Sequence, residues 1–119
     1  TEIYTLSLHD ALPIYEIIIT NQAEADMQDI YEYIEMQLSA PISAKRLLNK
    51  MISCIMNLGE LPNRFKKYEH EPWQSKGLRV LPVNNFLVLH ISDEKDHKVH
   101  IIRVIYGKRD IDNALRDIE

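Results

Sequence analysis

The sequence predicts an α+β domain of order β-α-α-β-β-β, a helical hairpin packed on a mostly antiparallel sheet with a short C-terminal helix. Three observations carry this. A β-branched run at residues 15–20 leads directly into an amphipathic helical pattern, a second helical pattern follows after a short break, and three extended runs then succeed one another across turn-sized gaps. Helices grouped with helices and strands with strands argue against an alternating α/β layout.

Residues 15–20 (YEIIIT) read as a strand, and Asn21 as the N-cap of the helix it feeds. From residue 22 to about 38, Ala23, Met27, Ile30, Tyr31, Ile34 and Leu38 recur at helical spacing, with Glu24, Gln28, Glu32 and Glu35 on the opposite face. Ser39-Ala40-Pro41 breaks the chain. In the second helix Leu47, Leu48, Met51, Ile52, Ile55 and Leu58 point inward, while Lys45, Arg46, Asn49, Lys50 and Asn57 point outward, and Gly59 is the C-terminal stop. So short a connection implies an antiparallel hairpin.

Residues 60–76 contain Pro62, Pro72, Arg64, Lys66 and Lys67 and are long for a connection, which suggests a shaped surface loop. Strands follow at 78–83, 86–92 and 99–106, the first two joined at Asn84-Asn85 as a tight hairpin, and Asp110 caps a terminal helix running through residue 118. Leu87, Leu89 and Ile91 occupy one sheet face and Phe86 and Val88 the other, so both faces need cover. The hairpin covers one. The second is either shielded by the loop and terminal helix or is a partner surface.

With 119 residues and 45% hydrophobic content the chain builds one packed core. The single cysteine, Cys54, rules out an intramolecular disulfide and paired-cysteine metal motifs and fits a reducing cytosol. No apolar run approaches the roughly 18 residues of a membrane-spanning helix. A cytoplasmic protein without a membrane partner is expected. The net charge of −4 is segregated: the first 44 residues carry eight acidic groups and no Lys or Arg, whereas residues 45–109 carry 13 basic and six acidic groups. Such a distribution permits a basic, nucleic-acid-facing surface, or simply an acidic first helix paired with a basic second one.

There is no phosphate-cradling glycine loop, no His-Glu-x-x-His pattern and no serine elbow, so neither metal nor cofactor is expected. What remains is a polar group assigned to the end of the sheet: Arg79, His90, Arg103, Tyr106, Lys108 and Arg109. Arginine forks bind phosphate or carboxylate, and Tyr or Lys can move protons. Together they would bind nucleic acid or stabilise a pentacovalent phosphate. Each has a plainer role as well. Arg103, inside an apolar strand, pairs with a helix carboxylate; His90 is a satisfied structural histidine; Tyr106 is core with its hydroxyl on a backbone group. Lys66 and Lys67 belong to a solvated loop, whereas Lys108 and Arg109 are exposed by position and read as functional.

Four segments taken together carry a family resemblance: Ala23-Glu24-Ala25-Asp26, the run from Gly77 to Val83 (GLRVLPV), Asn85-Phe86-Leu87-Val88, and the run from Ile101 to Asp110 (IIRVIYGKRD). Over residues 15–118 the sequence resembles toxins of the RelE/ParE superfamily, the growth-arresting half of bacterial toxin–antitoxin (plasmid stabilisation or addiction) modules. The resemblance implies a cognate antitoxin that wraps the toxin, and favours the partner-surface reading of the second sheet face. Candidate target- or antitoxin-binding residues are then Lys108, Arg109, Arg103, Phe86, Val88, His90, Lys66 and Lys67.

The superfamily holds two activities: RelE-like members cleave messenger RNA in the ribosome, and ParE-like members inhibit DNA gyrase. On the enzyme reading Arg109, Arg79 and Tyr106 are catalytic. Yet Leu87 falls where the nucleases carry a second arginine, Leu115 where they carry a terminal tyrosine, and residues 78–81 lack their paired lysines. Those nucleases are also strongly basic, as a ribosomal RNA site requires. The resemblance therefore leans towards a ParE-like gyrase inhibitor. A ribosome-dependent mRNA endonuclease is the alternative, and a degenerate toxin that only binds antitoxin is the third. Residues 1–14 (TEIYTLSLHDALPI) resemble, in reading frame, a translated sequencing adapter, so the toxin domain is placed at 15–119 and the preceding segment is expected to be non-native. Deleting it should leave the melting transition nearly unchanged; a large loss of stability would refute that assignment.

Overall fold

The computed structural model describes residues 14–107 and 111–116, so the expectations for residues 1–13, for Lys108, Arg109 and Asp110, and for the end of the terminal helix at residues 117–119 lie outside the described residues. The elements are β1 (Glu16–Ile19), α1 (Asn21–Glu32), one π-helical turn (Tyr33–Gln37), α2 (Pro41–Asn57), β2 (Leu78–Val83), β3 (Phe86–Asp93), β4 (Lys98–Tyr106) and α3 (Ile111–Arg116). The α+β arrangement read from the sequence is the observed one. The sheet runs β1-β4-β3-β2, with β1 parallel to β4 and the other two pairings antiparallel.

Thr20, not Asn21, caps α1. Its backbone is still extended, its N–H donates to the Ile101 carbonyl as the last rung beside β4, and its Oγ1 accepts from Ala23 N. The helix therefore starts one residue after Thr20, which leaves Asn21 inside the first turn. Pro41 opens α2 at a position where its missing N–H costs nothing. Gly59 does not end that helix through a left-handed turn. It is small because a Cβ there would stand 2.9 Å from the Tyr15 carbonyl oxygen, while its own carbonyl accepts from Tyr15 N at 2.8 Å.

The first core lies between the hairpin and the sheet. Ala23, Met27, Leu47, Met51, Ile55 and Leu58 meet Leu81, Val83, Val88, Val99, Ile101 and Val104. Two inward expectations fail: Ile52 and Leu38 are exposed. The π-helical turn inserts extra backbone per turn before Leu38 and rotates it off the sheet-facing stripe. On α2 the stripe Leu47, Met51, Ile55 fills the sheet-facing side, and Ile52 falls on its flank.

A second core occupies the other sheet face. Trp73 from the loop and Ala114 and Leu115 from α3 cover Leu78, Leu89 and Ile105. Of the two readings of that face, the structure adopts shielding by loop and terminal helix. The apolar run of β4 serves both cores because of a β-bulge: Leu89 pairs with Arg103 and His90 with Ile101, leaving Ile102 as the extra residue. Val104 thereby turns to the hairpin core and Ile105 to the second core.

Candidate functional site

Three polar or open regions result. The first is a buried clasp where β4 runs beyond the end of β1. Asp26 on α1 and Arg103 on β4 are 8% and 9% exposed. Arg103 Nε donates to Asp26 Oδ2 at 2.7 Å and its Nη2 to Oδ1 at 3.0 Å, while Nη1 reaches the Ala114 carbonyl on α3 at 2.6 Å. Asp26 Oδ2 also accepts from Val104 N at 2.9 Å, so the carboxylate occupies the strand edge that β1 no longer covers. The sequence expectation that Arg103 pairs with a helix carboxylate fits this geometry; its proposed partner contact does not, because the guanidinium is spent on internal partners.

The second region lies around Arg79 and His90, directly paired across β2 and β3. Arg79 Nη1 donates to the Phe65 carbonyl at 2.7 Å, and the Phe65 ring stands edge-on to His90. His90 is fully enclosed. Its Nδ1 lies 3.4 Å from the Val88 carbonyl, and Nε2 is buried with no hydrogen-bond partner among the described residues. Burial lowers its pKa to about 4, and the Arg79 charge acts in the same direction against the bond to Val88. His90 is therefore a neutral core histidine, only weakly satisfied, and offers no surface to a partner. Val88, likewise assigned to partner contact from sequence, is buried under the hairpin.

The third region is an open groove of about 640 Å³ between the end of the first helix and the end of the sheet, lined by Asp29, Ile30, Tyr33, Ile34, Leu38, Asn85, Phe86 and Tyr106. Tyr33, Leu38 and Tyr106 are 56%, 55% and 44% exposed, and Phe86 meets Tyr106 edge-on at 5.8 Å between ring centroids. Tyr106 is thus a groove wall, not a core residue with a backbone-bonded hydroxyl. The groove is apolar, concave and rimmed by one carboxylate, as ligand- or peptide-receiving surfaces are.

Of the trio Arg79, Tyr106 and Arg109, the last lies outside the described residues, and the other two stand on different strands and apart along the sheet. Arg79 sits opposite His90, whereas Tyr106 sits opposite Phe86 four residues along β3. At a rise of about 3.3 Å per residue and two strand spacings of about 4.8 Å, the two Cα positions are roughly 16 Å apart. Lys66 and Lys67 are exposed on the loop, Lys66 beside Glu69 at 3.4 Å, away from the groove. No group of side chains suited to a metal ion occurs among the described residues, and no helix there is long and apolar enough to cross a membrane.

Sequence reasoning missed Asp26, Asp29, Tyr33 and the groove role of Leu38. For Asp26 a signal existed: it lies three residues after Ala23 and next to Met27, on the buried stripe, where a carboxylate demands a partner. The groove role of Leu38 depends on the π-helical turn, which no spacing rule announces; Asp29 and Tyr33 join it only through where the end of the sheet lies beside the helix.

A family model described as the ParE toxin of type II toxin–antitoxin system, parDE, matches residues 17–111. Among solved structures, the fold is similar to a chromosomal ParDE toxin–antitoxin system from P. aeruginosa (TM-score 0.65, 19% identity, 80% of this chain and 98% of that one). It is also similar to the toxin–antitoxin complex RelBE2 from Mycobacterium tuberculosis (TM-score 0.60, 19% identity, 81% and 93%). A third is the archaeal RelE–RelB complex from Pyrococcus horikoshii OT3 (TM-score 0.55, 17% identity, 82% and 99%). No curated protein matches at the sequence level.

Proposed function

Because the chain belongs to the ParE toxin family of type II toxin–antitoxin systems, within the RelE/ParE superfamily, we propose that it arrests growth by inhibiting DNA gyrase and is neutralised by a cognate antitoxin. The toxin domain is residues 15–119, and its site of action is the cytoplasm.

The observation that carries the choice of gyrase over messenger RNA is the separation of Arg79 from Tyr106. Phosphoryl chemistry needs donors and proton-transfer groups within hydrogen-bond reach of one reacting phosphate. Here the two Cα positions are roughly 16 Å apart, and the Arg79 guanidinium is held by the Phe65 carbonyl. Leu115, fully buried beneath the second sheet face, and Leu87, partly buried in the same cluster, add to this, since the positions that by the resemblance fall on a tyrosine and an arginine of the nuclease-type members are here packing residues. The similar complexes of relatives with antitoxins support the partner.

Purified protein is expected to inhibit gyrase supercoiling of a relaxed plasmid, and to leave messenger ends unchanged by primer extension in a translating extract. Supercoiling that proceeds normally at micromolar protein would sink the gyrase reading. New messenger ends that disappear on Arg109→Ala would replace it with the endonuclease.

A further inference from the structure

The second helix carries two stripes, of which the fold uses one. Ala44, Leu47, Met51, Ile55 and Leu58 are buried against the rest of the protein. On the opposite side Ile42, Lys45, Asn49, Ile52 and Met56 follow one another at alternating intervals of three and four residues, and all five face solvent. Ile42, Ile52 and Met56 are 68%, 40% and 55% exposed. At 1.5 Å per residue this outer stripe is roughly 21 Å long. Single exposed aliphatic side chains are ordinary on a surface, but the three-four alternation is the spacing at which a second helix interdigitates. Asn49 stands at its midpoint, where a polar residue fixes the register of such a pairing.

The charge on this face has one sign. No Asp or Glu occurs between Glu35 and Glu60, whereas Lys45, Arg46 and Lys50 are all exposed. Lys50 is turned aside to the β2–β3 turn, where its Nζ donates to Asn84 Oδ1 at 2.7 Å. Lys45 and Arg46 have no carboxylate of the described residues within ion-pair distance; the pairs formed there are Lys66–Glu69 and Arg103–Asp26. The acidic first helix therefore does not pair off the basic second one.

These features select the occupant. A second copy laid face to face would bring Lys45 and Arg46 of both copies together with no carboxylate between them. Nucleic acid would answer the cations but leave Ile42, Ile52 and Met56 uncovered. A helix with its own apolar stripe and flanking carboxylates answers both. We infer that the outer face of α2 docks an acidic amphipathic helix of another protein, with apolar side chains on Ile42, Ile52 and Met56, a polar residue on Asn49, and glutamate or aspartate facing Lys45 and Arg46. This inference goes beyond the toxin reading and does not depend on it.

The test uses the full chain and two stapled helical peptides of equal length, each with leucine at alternating intervals of three and four and one central asparagine in that stripe. One carries glutamate at the flanking positions and its twin carries lysine. By fluorescence anisotropy at low salt the acidic peptide is expected to bind at least tenfold more tightly than the basic twin. Lys45→Glu with Arg46→Glu should reverse that preference. Ile42→Ala with Met56→Ala should weaken binding of the acidic peptide at least tenfold; these four side chains face solvent, so folding, checked by circular dichroism, is preserved. Equal binding of both peptides, no measurable binding of either, or binding indifferent to the Ile42 and Met56 changes overturns the inference. So does self-association in sedimentation velocity that Ile42→Ala with Met56→Ala abolishes, which would make a second copy the occupant. Duplex DNA that binds more tightly than the acidic peptide and is lost on Lys45→Glu with Arg46→Glu would overturn it in favour of nucleic acid.

Discussion

Replacing Asp26 by Ala is expected to lower the unfolding free energy by about 3–5 kcal/mol, the range seen when one member of a buried ion pair is removed. The carboxylate accepts two bonds from the Arg103 guanidinium and one from Val104 N, so a single truncation disturbs a charge and a strand edge together. A buried backbone N–H left without an acceptor accounts for roughly 1–3 kcal/mol of the loss. Because Arg103 also holds the Ala114 carbonyl, the effect extends to the packing of α3 over the second core. Asp26→Asn keeps the shape and one acceptor and should cost less than Asp26→Ala. Glu24→Ala, on the exposed face of the same helix, should change stability by no more than about 0.5 kcal/mol. Urea unfolding of the three variants provides the comparison. A loss below about 1 kcal/mol for Asp26→Ala would mean that the clasp is peripheral to stability.

That clasp also marks how far the sequence could be read. The order of elements, the hairpin and the turn at Asn84-Asn85 were legible because each rests on local periodicity and turn chemistry, which operate within a few residues. The pairing of Arg103 with a helix carboxylate was legible as a type of contact, since a cation inside an apolar strand needs one. Its partner was not, because Asp26 lies 77 residues away and is chosen by where β1 ends against β4. Likewise Leu87, Leu89 and Ile91 announced a second apolar face, but only the path of residues 60–76 and of α3 decided that Trp73 and Leu115 would cover it. The run from Ile101 to Ile105 (IIRVI) gave no alternating pattern because the bulge switches faces within it. The groove was the least legible. Leu38 belongs to it because a π-helical turn displaces it from the helix stripe, and Phe86 and Tyr106 belong to it because β3 begins and β4 ends in register beside that turn.

A pronounced loss of stability between pH 7 and about 4.5 is expected to trace to His90. Its pKa is lowered to about 4 in the folded state against 6.5 when solvated, chiefly because burial disfavours the imidazolium. The unfolded chain therefore binds a proton more readily than the folded one throughout that interval. Stability attached to the neutral ring is complete above about pH 6.5 and is lost as pH falls towards 4, amounting to about 2.5 kcal/mol by pH 4.5. The charged and titratable side chain that faces the ring is Arg79, which is cationic across the whole interval and so cannot reverse the sign. Neither can Nε2, which is enclosed with no acceptor to receive a new N–H among the described residues. Carboxylates also titrate near the lower end, so the variant His90→Leu separates the contributions. It removes a poorly satisfied polar ring from an apolar site and should be as stable as the parent at pH 7, within about 1 kcal/mol. Its stability should then stay nearly level from pH 7 to 5, where the parent already declines. Direct titration of the His90 ring carbons by NMR gives a second reading independent of unfolding. A midpoint at or above 6, or a His90→Leu profile that falls in parallel with the parent, would show that the buried ring is not the source of the acid sensitivity.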